Sequence, residues 1–209
     1  ETDGGFGFAS NIVDKSADGS GTLAGTGGLL GTYSIYKWDT QIAFTKPQWH
    51  ISATLSDAQN WTSQQYNATA FGEDTAADST GYALRAYWRP LESGTAVPEI
   101  SVGYDTKSFE GGATGAAKEA DSYMVGLTWK DMFLADDKIG FAYTQPLKVT
   151  EVVGGGTFTE VDPSLWEFYY SFKPNDSMSI TPAIFGGNDS WSDSEDDTFG
   201  AVVTTTFKF

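Results

Sequence analysis

The chain has 209 residues, 40% of them hydrophobic and 15% aromatic, with 24 Gly, no Cys and a formal net charge of −16. The missing cysteines exclude disulfides and thiolate metal sites, and the acid excess disfavours nucleic acid, whose phosphates need a basic surface. No segment approaches the roughly 18 consecutive apolar residues of a membrane helix, a test that a β-barrel escapes because only alternate residues of its strands meet lipid.

Residues near 5–13 make a weak strand candidate, followed by a long link over 14–28. That link contains GTGG at 25–28, which has the glycine content of a phosphate loop but no Lys-Ser/Thr and no following helix, so it reads as a flexible loop. Period-two alternation then becomes clear. Tyr36, Trp38, Thr40, Ile42 and Phe44 oppose Lys37, Asp39, Gln41 and Ala43. Trp49, Ile51, Ala53 and Leu55 oppose His50, Ser52, Thr54 and Ser56. Leu84, Ala86 and Trp88 oppose Arg85, Tyr87 and Arg89.

Ile100, Val102 and Tyr104 alternate with Glu99, Ser101, Gly103 and Asp105. Tyr123, Val125, Leu127 and Trp129 alternate with Ser122, Met124, Gly126, Thr128 and Lys130. Ile139, Phe141 and Tyr143 follow, against Lys138, Gly140, Ala142 and Thr144. Trp166, Phe168, Tyr170 and Phe172 face away from Glu167, Tyr169, Ser171 and Lys173, and Pro174-Asn175-Asp176 turns this strand into the next, over 177–185. The last strand begins at Phe199, with Phe199, Ala201, Val203, Thr205, Phe207 and Phe209 on one face and Gly200, Val202, Thr204, Thr206 and Lys208 on the other.

These are about ten strands, each near the 9–11 residues that cross a bilayer at a tilt. Short links at 46–48, 90–96, 133–137 and 174–176 alternate with long ones at 14–28, 61–80, 108–120, 151–163 and 188–197. Outer-membrane barrels have this rhythm of short periplasmic turns and longer external loops. The apolar face is rich in Trp, Tyr and Phe near strand ends, as in an aromatic girdle, where the core of a soluble sandwich would favour Val, Ile and Leu. The expected fold is therefore an all-β, antiparallel transmembrane β-barrel occupying 1–209.

The stretch DPSLWEFYYSFKPNDSMSITPAIF, the acidic loop after it and the terminal TTTFKF resemble the carboxy-terminal end of cyanobacterial outer-membrane porins of the carbohydrate-selective, OprB-like superfamily, some of which are labelled iron-uptake porins. YALRAYWRP and MVGLTWKDMFLADDKIGFAYTQP are similar to the preceding strands of that family. The resemblance runs in order over roughly 30–209 and is most specific over 161–209; an Arg usual in the family is replaced by Thr204. It implies a porin of about sixteen strands, a homotrimer, and an outer-membrane location in contact with lipid and lipopolysaccharide. Family members usually carry an amino-terminal S-layer-homology domain, which is not visible in this chain. The expectation is a carboxy-terminal part of a larger barrel, processed or truncated before Glu1, with a closed barrel of about ten strands as the alternative.

A porin needs a hydrated wall, a constriction and charges that bias ions, with no catalytic constellation and no cofactor. The alternation assigns Lys37, Asp39, His50, Arg85, Tyr87, Arg89, Glu99, Asp105, Lys130, Lys138, Glu167, Tyr169, Lys173 and Lys208 to the pore lining. The wall is more basic than acidic, and the excess acid falls in links: Glu73, Asp74 and Asp78; Glu110, Glu119 and Asp121; Asp189, Asp193, Glu195, Asp196 and Asp197. An acidic vestibule above a positive wall is one reading; solvated loops and wall charges meeting bulk water are the plainer one. SDSEDD at 192–197 lacks EF-hand spacing and reads as a solvated loop rather than a metal site.

His50, the sole histidine, has Ser52 two residues along its own strand and no orienting group, so neither a hydrolase nor an iron site is supported. Inward aromatics are few (Tyr87, Tyr169 and Phe185), which favours passage of small ions and hydrophilic solutes over a dedicated sugar channel. The competing readings are a soluble β-sandwich that binds carbohydrate or a surface, and a barrel enzyme dependent on His50.

Overall fold

The computed structural model describes residues 4–14, 36–59, 78–110, 114–155, 162–188 and 197–208. Ten strands follow one another: β1 (Gly5–Asp14), β2 (Tyr36–Thr45), β3 (Trp49–Gln59), β4 (Asp78–Trp88), β5 (Glu99–Glu110), β6 (Ala117–Lys130), β7 (Lys138–Val152), β8 (Ser164–Asn175), β9 (Met178–Asn188) and β10 (Thr198–Phe207). A single 3₁₀ turn at Val153–Gly155 is the helical element among the described residues. Each strand pairs antiparallel with its sequence neighbours, in one sheet ordered β1 to β10. β1 and β10 do not pair with each other, so the sheet is open along both edges.

The links therefore sort to two ends of the sheet. β2–β3, β4–β5, β6–β7 and β8–β9 are joined at one end, the short-turn end; the other connections lie at the opposite, long-link end. The rhythm is looser than the alternation implies. The β4–β5 link spans 89–98, whereas β5–β6 needs only 111–116, because β5 runs on to Glu110 and β6 starts at Ala117. Ala117 and Ala120 are buried there against Phe109, Leu147 and Val149, and register shifts at 117–123 mark irregular pairing with β7. Small and charged residues without apolar alternation make that stretch read as a loop.

Register follows the two-faced pattern across the whole sheet. One row joins Phe6, Phe44, Ile51, Ala86, Val102, Val125, Tyr143, Trp166, Gly186 and Phe199. It enters at Phe6, one residue from the short-turn end of β1, and leaves at Phe199, one residue from the long-link end of β10. The strands are thus staggered by slightly under one residue each. With a rise of about 3.3 Å per residue and about 4.8 Å between strands, that is a tilt of about 30°. Closed barrels are staggered in the same manner.

One face carries the large apolar side chains, and they are exposed: Phe6 90%, Ile42 61%, Leu84 56%, Phe199 72% and Val203 65%. Aromatics stand in mid-strand at Tyr82, Tyr104 and Phe168 and also toward the ends, with Phe6–Phe44 centroids 4.6 Å apart and Phe44–Trp49 5.2 Å at the short-turn end, and Trp166–Phe199 6.2 Å at the long-link end. Buried apolar residues among those described are Ala58, Ala116, Ala117, Ala120 and Val152. The sheet is held by its ladders and face contacts, not by a core between layers.

Candidate functional site

The other face is the candidate site. Gly, Ala, Ser and Thr form its floor because long side chains are needed only where a charge or ring must reach a neighbour. Three ion pairs stand on it. Arg85 Nη2 lies 2.7 Å from Asp105 Oδ1 across β4–β5, Lys130 Nζ lies 2.6 Å from Glu99 Oε1 across β5–β6, and Lys37 Nζ lies 3.1 Å from Asp39 Oδ2 along β2. Hydroxyls complete the carboxylates: Ser56 Oγ donates to Asp39 Oδ1 at 2.6 Å and Ser122 Oγ to Asp105 Oδ2 at 3.2 Å. All six charged side chains are partly exposed, so each pair contributes about 0–1 kcal/mol and sets local charge more than stability.

Glycines let long side chains lie flat on this face. A Cβ on Gly103 would sit 3.0 Å from both Arg85 Cδ and Met124 Cγ, so the guanidinium crosses that glycine on its way to Asp105. The Tyr169 ring covers Gly140 in the same way, and the Phe185 ring covers Gly200. Flattened side chains leave the space above the sheet open.

The expected wall residues that fall inside strands share this face. Lys37, Asp39, His50, Arg85, Tyr87, Glu99, Asp105, Lys130, Lys138, Glu167 and Tyr169 alternate with the apolar series and pair across strands with residues such as Ser52, Ser56, Ser101, Ser122 and Thr128. Others sit at the short-turn rim. Arg89 lies just past β4, where its backbone N–H donates to Gln48 O at 2.7 Å and its Nε donates to Pro47 O. Lys173 reaches Asp136 at 3.1 Å, and Lys208, just past β10, donates its backbone N–H to Ser177 O at 2.8 Å. His50 Nδ1 is 2.7 Å from Thr45 Oγ1, and its ring stacks on Tyr87 at 5.4 Å, so it is engaged away from Ser52.

Sequence reasoning missed Lys107. It continues the Glu99–Asp105 series by parity, just before the link expected at 108–120, and β5 carries it within the strand. Of the acidic positions expected in links, Asp78, Glu110, Glu119 and Asp121 belong to strand ends at the long-link side, and Asp197 immediately precedes β10. Glu73, Asp74, Asp189, Asp193, Glu195 and Asp196 lie outside the described residues, as do GTGG at 25–28, residues 192–196 of the SDSEDD run and Phe209. Among the described residues no group of three or more His, Cys, Asp or Glu is placed to hold a metal.

At the short-turn end, the 89–98 link folds beside Pro47, Gln48, Thr128 and Lys130 around a cleft of about 340 Å³. Gly94 N–H donates to Lys130 O at 2.8 Å, which ties this link to β6. Its charged lining, Arg89 and Lys130 against Glu92 and Glu99, is balanced.

The neighbouring 131–137 turn is organised by Asp137, which is fully buried. Its carboxylate accepts N–H bonds from Met132 at 2.8 Å and from Phe133 and Leu134 at 3.0 Å, and the Tyr170 hydroxyl at 3.0 Å. Burial pushes this carboxyl up, but the converging donors outweigh it and hold it below the usual aspartate range. Asp131 is held low by the Ser93 side chain first and then by the Asp136 N–H, 2.7 Å from Oδ1.

Comparison of the chain with protein-family models, with curated proteins and with solved structures gives no match.

Proposed function

We propose that this chain forms the wall of an outer-membrane porin, with its aromatic-rich face in lipid and its small, polar face lining a water-filled channel for passive diffusion of small ions and hydrophilic solutes. One observation carries the reading. A continuous apolar face spans all ten staggered strands and stays exposed, while the opposite face holds the Lys37–Asp39, Arg85–Asp105 and Lys130–Glu99 ion pairs. Monomeric soluble proteins rarely leave more than a few hundred Å² of contiguous apolar surface uncovered. A soluble sandwich would cover this face with a second sheet, and the described residues form one sheet only. Lipid covers it without a second layer.

The open edges fit the same reading. Unpaired N–H and C=O groups are not tolerated at membrane depth, so in lipid β1 and β10 must meet each other or further strands. The resemblance of 161–209 to cyanobacterial porins favours further strands, toward about sixteen in total, and brings with it the trimer and the lipopolysaccharide contact. The reading assigns no catalytic role to His50. The test is purified folded protein on an SDS gel and in a planar bilayer. A shift in mobility on boiling together with stepwise conductance is expected; one mobility and a silent bilayer would refute the reading.

A further inference from the structure

Lys107 stands on the polar face near the long-link end, half-buried, with its Nζ 4.9 Å from the Phe109 ring centroid. It belongs to the row Asp39, Ser56, Gly81, Lys107. Gly81 separates Ser56 from Lys107, and a Cβ there would meet Ser56 Cβ at 3.6 Å and Lys107 Cγ at 3.9 Å. The lysine stem therefore lies against the glycine. Lys37 and Asp39, at the β2 end of this row, are close enough to act on it electrostatically.

Those charges do not balance. Asp39 already uses both carboxylate oxygens, Oδ2 on Lys37 at 3.1 Å and Oδ1 on Ser56 at 2.6 Å. Among the described residues no carboxylate lies within ion-pair distance of Lys107. Farther along the wall, Arg85 and Lys130 each have a carboxylate in direct contact. Two ammonium groups thus share one engaged carboxylate on a wetted wall, which leaves a local excess of one positive charge.

We propose that Lys107, flanked by Lys37, is a binding station for small inorganic anions on the pore wall. This rests on the porin reading. A fixed cation on a low-dielectric wall raises the local concentration of mobile anions. The station would act at the long-link mouth, where the strand ends are otherwise acidic, and would admit anions that the net charge of −16 repels.

The test is the reversal potential of the reconstituted chain in a potassium chloride gradient. Lys107→Gln should lower the chloride-over-potassium permeability ratio at least about two-fold, and Lys107→Arg should preserve it. Lys37→Gln should lower the ratio too, which covers the case in which Lys107→Gln fails to fold. Lys46→Gln, at the opposite, short-turn end against the Phe44 and Trp49 rings, should leave it unchanged. Open channels whose ratio is the same in wild type, Lys107→Gln and Lys37→Gln would overturn the station and leave the porin standing. Wild-type protein without channels would overturn both.

Discussion

The Tyr170 hydroxyl donates to Asp137 Oδ2 at 3.0 Å, joining the aromatic face of β8 to the turn between β6 and β7. The same turn exposes Phe133, whose ring meets Tyr170 edge-on at 6.2 Å. A buried carboxylate thus sets both the turn and the rim aromatics beside it. Its folded pKa lies below the unfolded value of about 3.9, so its contribution is present above that pH and is lost as pH falls through the folded value. Melting followed by the mobility of unboiled protein should be flat in pH on this account down to about pH 4 and fall below it. Asp137→Asn should melt several degrees lower at neutral pH and show a shallower acid limb. An unchanged melting temperature in that variant would dissociate the turn from rim stability.

Adjacent residues on β5 should answer oppositely to the same charge. Val102, the fourth of twelve residues of β5, is exposed on the apolar face, and Ser101 lies on the polar face. Val102→Arg should cost about 1–3 kcal/mol in urea titrations of liposome-folded protein, between the interfacial and midplane costs of Arg in a bilayer. Ser101→Arg should cost far less. Equal costs would contradict the assignment of faces.

Gly140 is occupied from above by the Tyr169 ring. Gly140→Ala must displace that ring, at about 1–3 kcal/mol by the usual cost of overpacking. Tyr169→Ala should remove most of the penalty, so the double variant should recover against Gly140→Ala alone. A purely additive double-mutant cycle would mean that the ring does not rest on the glycine.

Much of this architecture was legible because alternation is a local signal. β2, β3 and β7–β10 follow from apolar residues at every second position, and the register keeps those series on one face. β1 was faint because Gly5, Gly7 and Ala9 give one of its faces almost no side chain. The end of β5 and the start of β6 were lost where Ala117 to Asp121 break the apolar period and the pairing with β7 slips. Charge partners were not legible at all: Arg85 and Asp105 meet only through the register of β4 on β5. Closure of these ten strands on themselves is the alternative expectation, and β1 and β10 do not pair with each other; a strand pattern specifies faces but not what meets a sheet edge.

Those edges make their own prediction. In lipid the amides of β1 and β10 should be as protected from hydrogen exchange as those of β5, whichever strand covers them. Edge amides that exchange as fast as the links would contradict a closed wall.

The central claim is that the small, polar face borders a conducting pore and the aromatic face does not. The chain has no cysteine, so single thiols can be placed at will. Ala83 and Leu84 are neighbours on β4 with opposite facing, Ala83 in the row of Thr54 and Asp105 and Leu84 exposed among Ala53 and Tyr104. The decisive measurement is single-channel conductance of Ala83→Cys and Leu84→Cys before and after a charged thiol reagent is added. The account predicts stepwise conductance in both, cut by the reagent at Ala83→Cys and untouched at Leu84→Cys. Equal block at both positions, or no conductance in either, would contradict it.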